Sequence, residues 1–277
     1  IDWIHTAKDQ GALLRNYTKW DDEPRSAEAI VETMYRANQM ARSEPPGPVY
    51  VCLDAGLQEE ALDGDIEIPD ASRFAPSDPP RASENAVAEV AALLMEAKNP
   101  VVMIGRSGRS QEAWDNRVKL AELCGAGVFT NLRNSAVFPS SHLLHVGRPA
   151  GGVNPAMREA VHGADLILSL NWLDFGGTQR LLKRDGPIKG KIIHCSMESY
   201  VHTGYGMELF ELPEADIKIE ADHDAFVAQL LAEIAKQGTA STWDGNRVGP
   251  EPEEYELIAS RDAGTNIEPA DIVTALA

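Results

Sequence analysis

The sequence predicts an α/β protein built on a doubly wound, Rossmann-like parallel sheet over residues 83–237, with a partial α/β unit ahead of it. Two observations lead there. Between residues 83 and 237 apolar stripes at helical spacing alternate with short apolar runs too brief for helices, the pattern of parallel strands covered on both faces. One such run, in Asn99 to Ser110 (NPVVMIGRSGRS), ends in a Gly-Arg-Ser-Gly loop before a helix. A strand that turns through glycine into a helix presents backbone N–H groups and a positive helix end to an anion, usually a phosphate. The spacing from Gly105 to Gly108 is GxxG, not the GxGxxG of a dinucleotide fingerprint.

From Ser26 to Arg42 the residues Ile30, Met34, Ala37 and Ala41 recur at helical spacing and predict one buried stripe. Pro45, Pro46, Gly47 and Pro48 stop that helix and feed Val49 to Leu53, a short β-rich run. Pro76, Pro79 and Pro80 then stand among Asp and Ser residues, so 61–82 is expected to be an extended linker. Ser83 is suited to cap a helix striped by Val87, Val90, Ala91 and Leu94. The strand Val101 to Ile104, the glycine loop, and a helix from about Ser110 that Gly125 closes come next, and Gly127 to Thr130 is a second strand. Asn154-Pro155 opens a helix that Gly163 ends, while Asp165 to Leu170 and Lys191 to Cys195 read as central strands. Arg180 to Arg184 look like the solvated side of a helix. Ile217 to Glu220 is a last short strand, and Asp222 caps a helix striped by Val227, Leu230, Leu231 and Ile234. The polar stretch from Gly238, with its cluster Glu251, Glu253, Glu254 and Glu256, reads as a solvated second linker.

Composition excludes some functions. A net charge of −18 argues against a nucleic-acid surface, which needs clustered Lys and Arg. No apolar run approaches a membrane span of about 20 residues. Cys52, Cys124 and Cys195 are far apart, without a CxxC, and read as reduced buried thiols of a cytoplasmic protein. Both ends read as cut inside folded units: the chain opens on Ile1-Asp2-Trp3-Ile4, and a helix that starts at Pro269 has no stop.

The serial order of these pieces resembles the middle of a thiamine diphosphate-dependent enzyme of the acetohydroxyacid synthase, pyruvate oxidase and 2-oxoacid decarboxylase superfamily. The likeness rests on Tyr17-Thr18-Lys19-Trp20, on Pro46 to Val51, on Phe138-Pro139-Ser140-Ser141-His142 with Gly147, and on the runs Ala164 to Leu168 and Lys191 to His194. The resemblance implies that residues 1–60 end a pyrimidine domain, 83–237 form a six-stranded-type central domain, and 238–277 lead into a pyrophosphate domain. It implies decarboxylation or carbon–carbon ligation of a 2-oxo acid or acyl thioester, thiamine diphosphate and Mg2+ as cofactors, and a homo-oligomer. The catalytic glutamate and the Gly-Asp-Gly metal motif are expected outside this chain, in the remaining pyrimidine and pyrophosphate domains, so the chain by itself is expected to be inactive. Asp9 and Gln10 would approach the active-site mouth.

In flavin-carrying members the central domain holds the ADP part of FAD, and in others free ADP or nothing. By position the contact residues would be Gly105, Arg106, Ser107 and Gly108, then Asn131, then Asn171 and Trp172. Arg106 suits a phosphate and Asn171 an adenine or ribose edge. Arg133-Asn134-Ser135 and Asn171-Trp172-Leu173-Asp174 depart from the flavin pattern, and Trp172 has the bulk to fill the groove FAD needs. FAD, another adenine nucleotide and an empty structural domain all stay open, as does a docking scaffold. NAD is disfavoured because Asn131 stands where an acidic ribose ligand belongs. His142 and His145 have HxxH spacing but no third ligand nearby, and read as surface or capping residues; His194 reads as a satisfied core residue.

Overall fold

The computed structural model describes residues 7–134, 136–147, 149, 151–197 and 211–249. The ends, the Glu251 to Glu256 cluster and Ser135 lie outside them. The N-terminal unit holds α1 (Gly11–Leu14), β1 (Trp20–Asp22), α2 (Ala27–Arg42), β2 (Val49–Val51) and α3 (Ala55–Glu59). β1 and β2 pair in parallel, Trp20 opposite Val49. Ser26 caps α2 by accepting from Ala29 N at 3.2 Å. The buried face of α2 differs from the expected stripe, because Thr33 and Ala37 are buried while Met34 is 53% exposed. Thr33 is drawn inward by its hydroxyl, which donates to Asp22 Oδ2 at 2.8 Å. The linker carries one short 3-10 turn, Ala71–Phe74, and Phe74 stacks on Tyr35 of α2 with ring centroids 4.7 Å apart.

The second unit runs α4 (Glu84–Glu96), β3 (Pro100–Ile104), α5 (Gln111–Cys124), β4 (Gly127–Thr130), α6 (Pro155–Gly163), β5 (Leu166–Leu170), α7 (Phe175–Leu182), β6 (Lys191–Cys195), β7 (Ile217–Ile219) and α8 (His223–Gln237). Its sheet is parallel throughout, ordered β4-β3-β5-β6-β7. Among the described residues it has five strands, where the resemblance implied six. Every residue of β3 and β5 is buried, which is why both had to be continuous apolar runs. Alternate side chains serve opposite faces. Val102 and Ile104 join α4, α5 and α8 in one core with Leu94, Leu120, Phe226 and Leu230. Val101 and Met103 join Met157, Val161, Phe175 and Leu182 of α6 and α7 in the other.

The chain leaves β3 for β4 on one side, then recrosses to β5 on the other. The connections that leave the carboxyl ends of β3 and β5 therefore run to opposite sides, and this switch point is where open α/β sheets hold ligands. The glycine loop follows β3 and Asn171 follows β5.

A candidate site at the switch point

A cavity of about 370 Å3 opens here, floored by Arg106, Ser107, Asn171 and the start of α8, and roofed by Glu44, Pro45 and Pro46 of the N-terminal unit. Two larger hollows lie elsewhere. One, of about 660 Å3, is a carboxylate-lined groove between α2 and the linker; the other, of about 690 Å3, lies at the amino ends of β3 and β4.

The loop's N–H groups are largely spent within the protein. Gly105 N donates to Leu170 O at 2.8 Å and Arg106 N to Asn171 O at 3.2 Å. Gly108 N donates to the Asp224 carboxylate at 2.7 Å, and the other oxygen of that carboxylate pairs with Arg117. Arg117 is wholly buried, and it also donates to Val137 O at 2.9 Å and Gly108 O at 3.1 Å. An internal carboxylate thus occupies the place where a phosphate would take Gly108 N–H. A diphosphate at Gly108 would meet that negative charge, which disfavours FAD or ADP there.

Asn171 adopts a left-handed backbone conformation, φ 48°, that asparagine tolerates better than most residues. Its side chain donates to Arg106 O at 2.9 Å and accepts from Ser196 Oγ at 3.0 Å, which ties together the ends of β3, β5 and β6. Ser107 Oγ and His223 Nε2 share a hydrogen bond of 2.9 Å. Burial holds His223 below the usual histidine range, against the opposing pull of Asp224 and Asp222. Glu44 is pushed up, first by burial and then by Asp222.

Other expected contact residues lie apart from the cavity. Asn131 is buried and closes its own turn, accepting from Arg133 N at 2.8 Å. The Trp172 indole packs into the core on the α6 and α7 side, with Nε1 donating to Thr178 Oγ1 at 2.9 Å. His142 accepts from Leu144 N at 3.1 Å, as a capping residue does. His145 is not at the surface: it is 1% exposed and bonded to Thr130 Oγ1 and Gly147 O, both at 2.9 Å. Arg117, His223 and Asp224 were invisible to sequence reading, because their meeting joins positions over 100 residues apart. The one usable sign was the run Asp222-His223-Asp224 at a helix start facing strand ends.

His194 stacks on Phe175 at 5.0 Å and bonds Ser169 Oγ at 3.0 Å, and burial pushes it down to about 4. The unfolded chain takes up this proton near 6.5 and the folded chain only near 4, so stability falls as pH drops through that window. The full loss is about 3 kcal/mol. Urea unfolding at pH 7 and at pH 4.5 is expected to show it, with a shallower fall in His194→Gln.

Residues 87–230 match the family model described as the central domain of thiamine pyrophosphate enzymes. The chain belongs to the thiamine pyrophosphate enzyme family. Within this family it is 27% identical over 232 residues to an acetolactate synthase of Mycobacterium bovis, covering 81% of this chain and 35% of that protein. It is 31% identical over 164 residues to a sulfoacetaldehyde acetyltransferase of Rhodobacter capsulatus, covering 58% of this chain and 26% of that protein. The fold is similar to that of a solved benzoylformate decarboxylase from Polynucleobacter necessarius, with a TM-score of 0.62 at 19% identity, covering 87% of this chain and 42% of that one. This central-domain chain therefore spans about a third of the length of the acetolactate synthase it matches.

Proposed function

We propose that this chain is the middle portion of a thiamine diphosphate-dependent enzyme of acetolactate synthase type, acting by decarboxylation or carboligation on 2-oxo acids or acyl thioesters. The observation that carries it is the extent of the likeness to acetolactate synthase: at 81% of the chain it reaches well beyond the central domain alone. The chain's own residues do not fit a thiamine diphosphate and Mg2+ site. Its sequence has no Gly-Asp-Gly, and no group of three or more His, Cys, Asp or Glu among the described residues is placed to hold a metal ion. Both cofactors are assigned to pyrimidine and pyrophosphate domains of a longer parent, which are the partners of this domain within a homo-oligomer.

In this reading the central domain is a scaffold, supported by the carboxylate of Asp224 in the phosphate position. No helix among the described residues is long and apolar enough to cross a membrane. The free thiols of buried Cys124 and Cys195 agree with a cytoplasmic setting.

The test is a longer polypeptide carrying all three domains, supplied with thiamine diphosphate and Mg2+ and a panel of 2-oxo acids. Release of CO2 with or without a ligated product is expected, and none from the 277-residue chain alone. The same chain is expected to shift its melting temperature by less than about 1 °C with FAD or ADP. A clear nucleotide shift overturns the scaffold role, and a parent inert toward every 2-oxo acid overturns the reaction class.

A further inference from the structure

Away from the switch point, the groove of about 660 Å3 between α2 and the linker combines apolar lining with acidic walls. On the α2 wall Glu28 and Glu32 lie one helical turn apart. On the linker wall Asp63, Asp65 and Glu67 stand at every second position. No Lys or Arg occurs from Ser43 to Ser72, so the linker brings no cation of its own. Arg36 of α2 also lines the groove, but its guanidinium already pairs with Glu32 at 2.6 Å. Five carboxylates thus stand against one engaged arginine. Like charges gathered in a groove with protein walls reinforce one another and draw cations.

Between the acidic groups the lining is apolar and open. Leu62 is 58% exposed and Phe74 38% exposed. Tyr35 pins the linker to α2 from within the groove, stacked on Phe74 and donating its hydroxyl to Pro69 O. Exposed apolar surface rimmed by charge is the mark of an interaction site. A second copy of this chain is a poor occupant, since each copy carries a net charge of −18. A simple cation would leave the apolar lining uncovered. The lining residues of α2 run from Glu28 to Gln39, a length of about 17 Å that an extended segment of about five residues matches. In such a segment successive side chains point to opposite faces, so one face can lie on Leu62 and Tyr35 while the cationic stems of the other reach the rims.

We propose that this groove docks an extended peptide segment of a partner protein in which Lys or Arg alternates with apolar residues. The inference does not depend on which reaction the parent performs.

Anisotropy titration of labelled hexapeptides with the 277-residue chain, at about 0.15 M salt, tests it. Saturable binding of Leu-Lys-Leu-Lys-Leu-Lys is expected, with a Kd of about 10–100 µM. A Gly-Lys repeat keeps the charge without the apolar face, and a Leu-Glu repeat reverses the charge. Each is expected to bind at least about tenfold more weakly. Glu28, Leu62 and Asp65 are exposed, so the thermal melt is expected to survive their substitution. The double variant Glu28→Gln with Asp65→Asn is expected to weaken the Leu-Lys peptide about tenfold, and Leu62→Ser about threefold. Replacing Glu251, Glu253, Glu254 and Glu256 together by Gln removes more charge elsewhere and is expected to leave the affinity unchanged. Absence of saturable binding overturns the proposal, as does equal binding of the Gly-Lys repeat, which would mean charge attraction alone. A loss in the remote variant as large as that in the groove variant overturns it too. The peptide comparison on the unmodified chain decides the matter should a variant fail to fold.

Discussion

Arg117→Met is expected to destabilise the fold by about 3–5 kcal/mol, the cost of leaving a buried charge without its partner. The Arg117 side chain is 0% exposed and reaches Asp224, Val137 O and Gly108 O together. Its removal strands one carboxylate and two carbonyls where α5 meets α8. Asp224 keeps 15% exposure, so some water reaches the orphaned charge and the lower end of that range is expected. Arg117→Lys does not substitute, since an ammonium cannot fork to three acceptors set around a plane. The double variant Arg117→Met with Asp224→Leu is expected to recover much of the loss, because it removes both charges. Urea denaturation of the three variants measures this, and a cost below about 1 kcal/mol for Arg117→Met would show that the pair does not hold the loop.

Gly105→Ala is the second large effect. A Cβ there would lie 1.9 Å from Asn171 O, 2.4 Å from Asn171 C and 2.6 Å from Trp172 Cα. All three are backbone atoms, so no rotamer relieves the clash; the ends of β3 and β5 must part. That breaks the bonds Gly105 N to Leu170 O and Arg106 N to Asn171 O. A loss of about 3 kcal/mol or more is expected, enough to leave much of the chain unfolded at 37 °C. Gly108→Ala makes an instructive control. Its Cβ would meet Asp224 Oδ2 at 2.8 Å, the end of a side chain that can give by a few tenths of an ångström while keeping its pair with Arg117, so about 1 kcal/mol is expected. Thermal melts of both variants check the order, and equal costs would contradict it.

These two sites change what the glycine loop means. In sequence, Gly105 and Gly108 spelled a candidate phosphate cradle. In the structure Gly105 is glycine because the β5 chain passes against it, and Gly108 hands its N–H to Asp224. The loop sits at the sheet's switch point, yet it is filled from within.

Much of the fold was legible because its causes are local. Ser83, Ser110, Asn154 and Asp222 each cap the helix they precede, and Gly125 ends α5 in a left-handed conformation, φ 60°. The stripe Val87, Val90, Ala91 and Leu94 is buried as its spacing requires. Of the elements that escaped, two did so for the converse reason. β1, Trp-Asp-Asp, has little strand propensity and exists through its pairing with β2. α7 begins Phe-Gly-Gly and is held by Asp174, which accepts from Gly177 N at 3.1 Å.

The sequence by itself determined the α/β class, the order of helices and strands, and the kinship with thiamine enzymes, because periodicity, caps and serial order are written in neighbouring residues. Only the tertiary structure decided the strand order and what fills the switch point. Strand order depends on which way the chain crosses the sheet, and Arg117 meets Asp224 across 107 positions. Neither the direction of a crossover nor the far partner of a buried charge leaves a mark in local sequence.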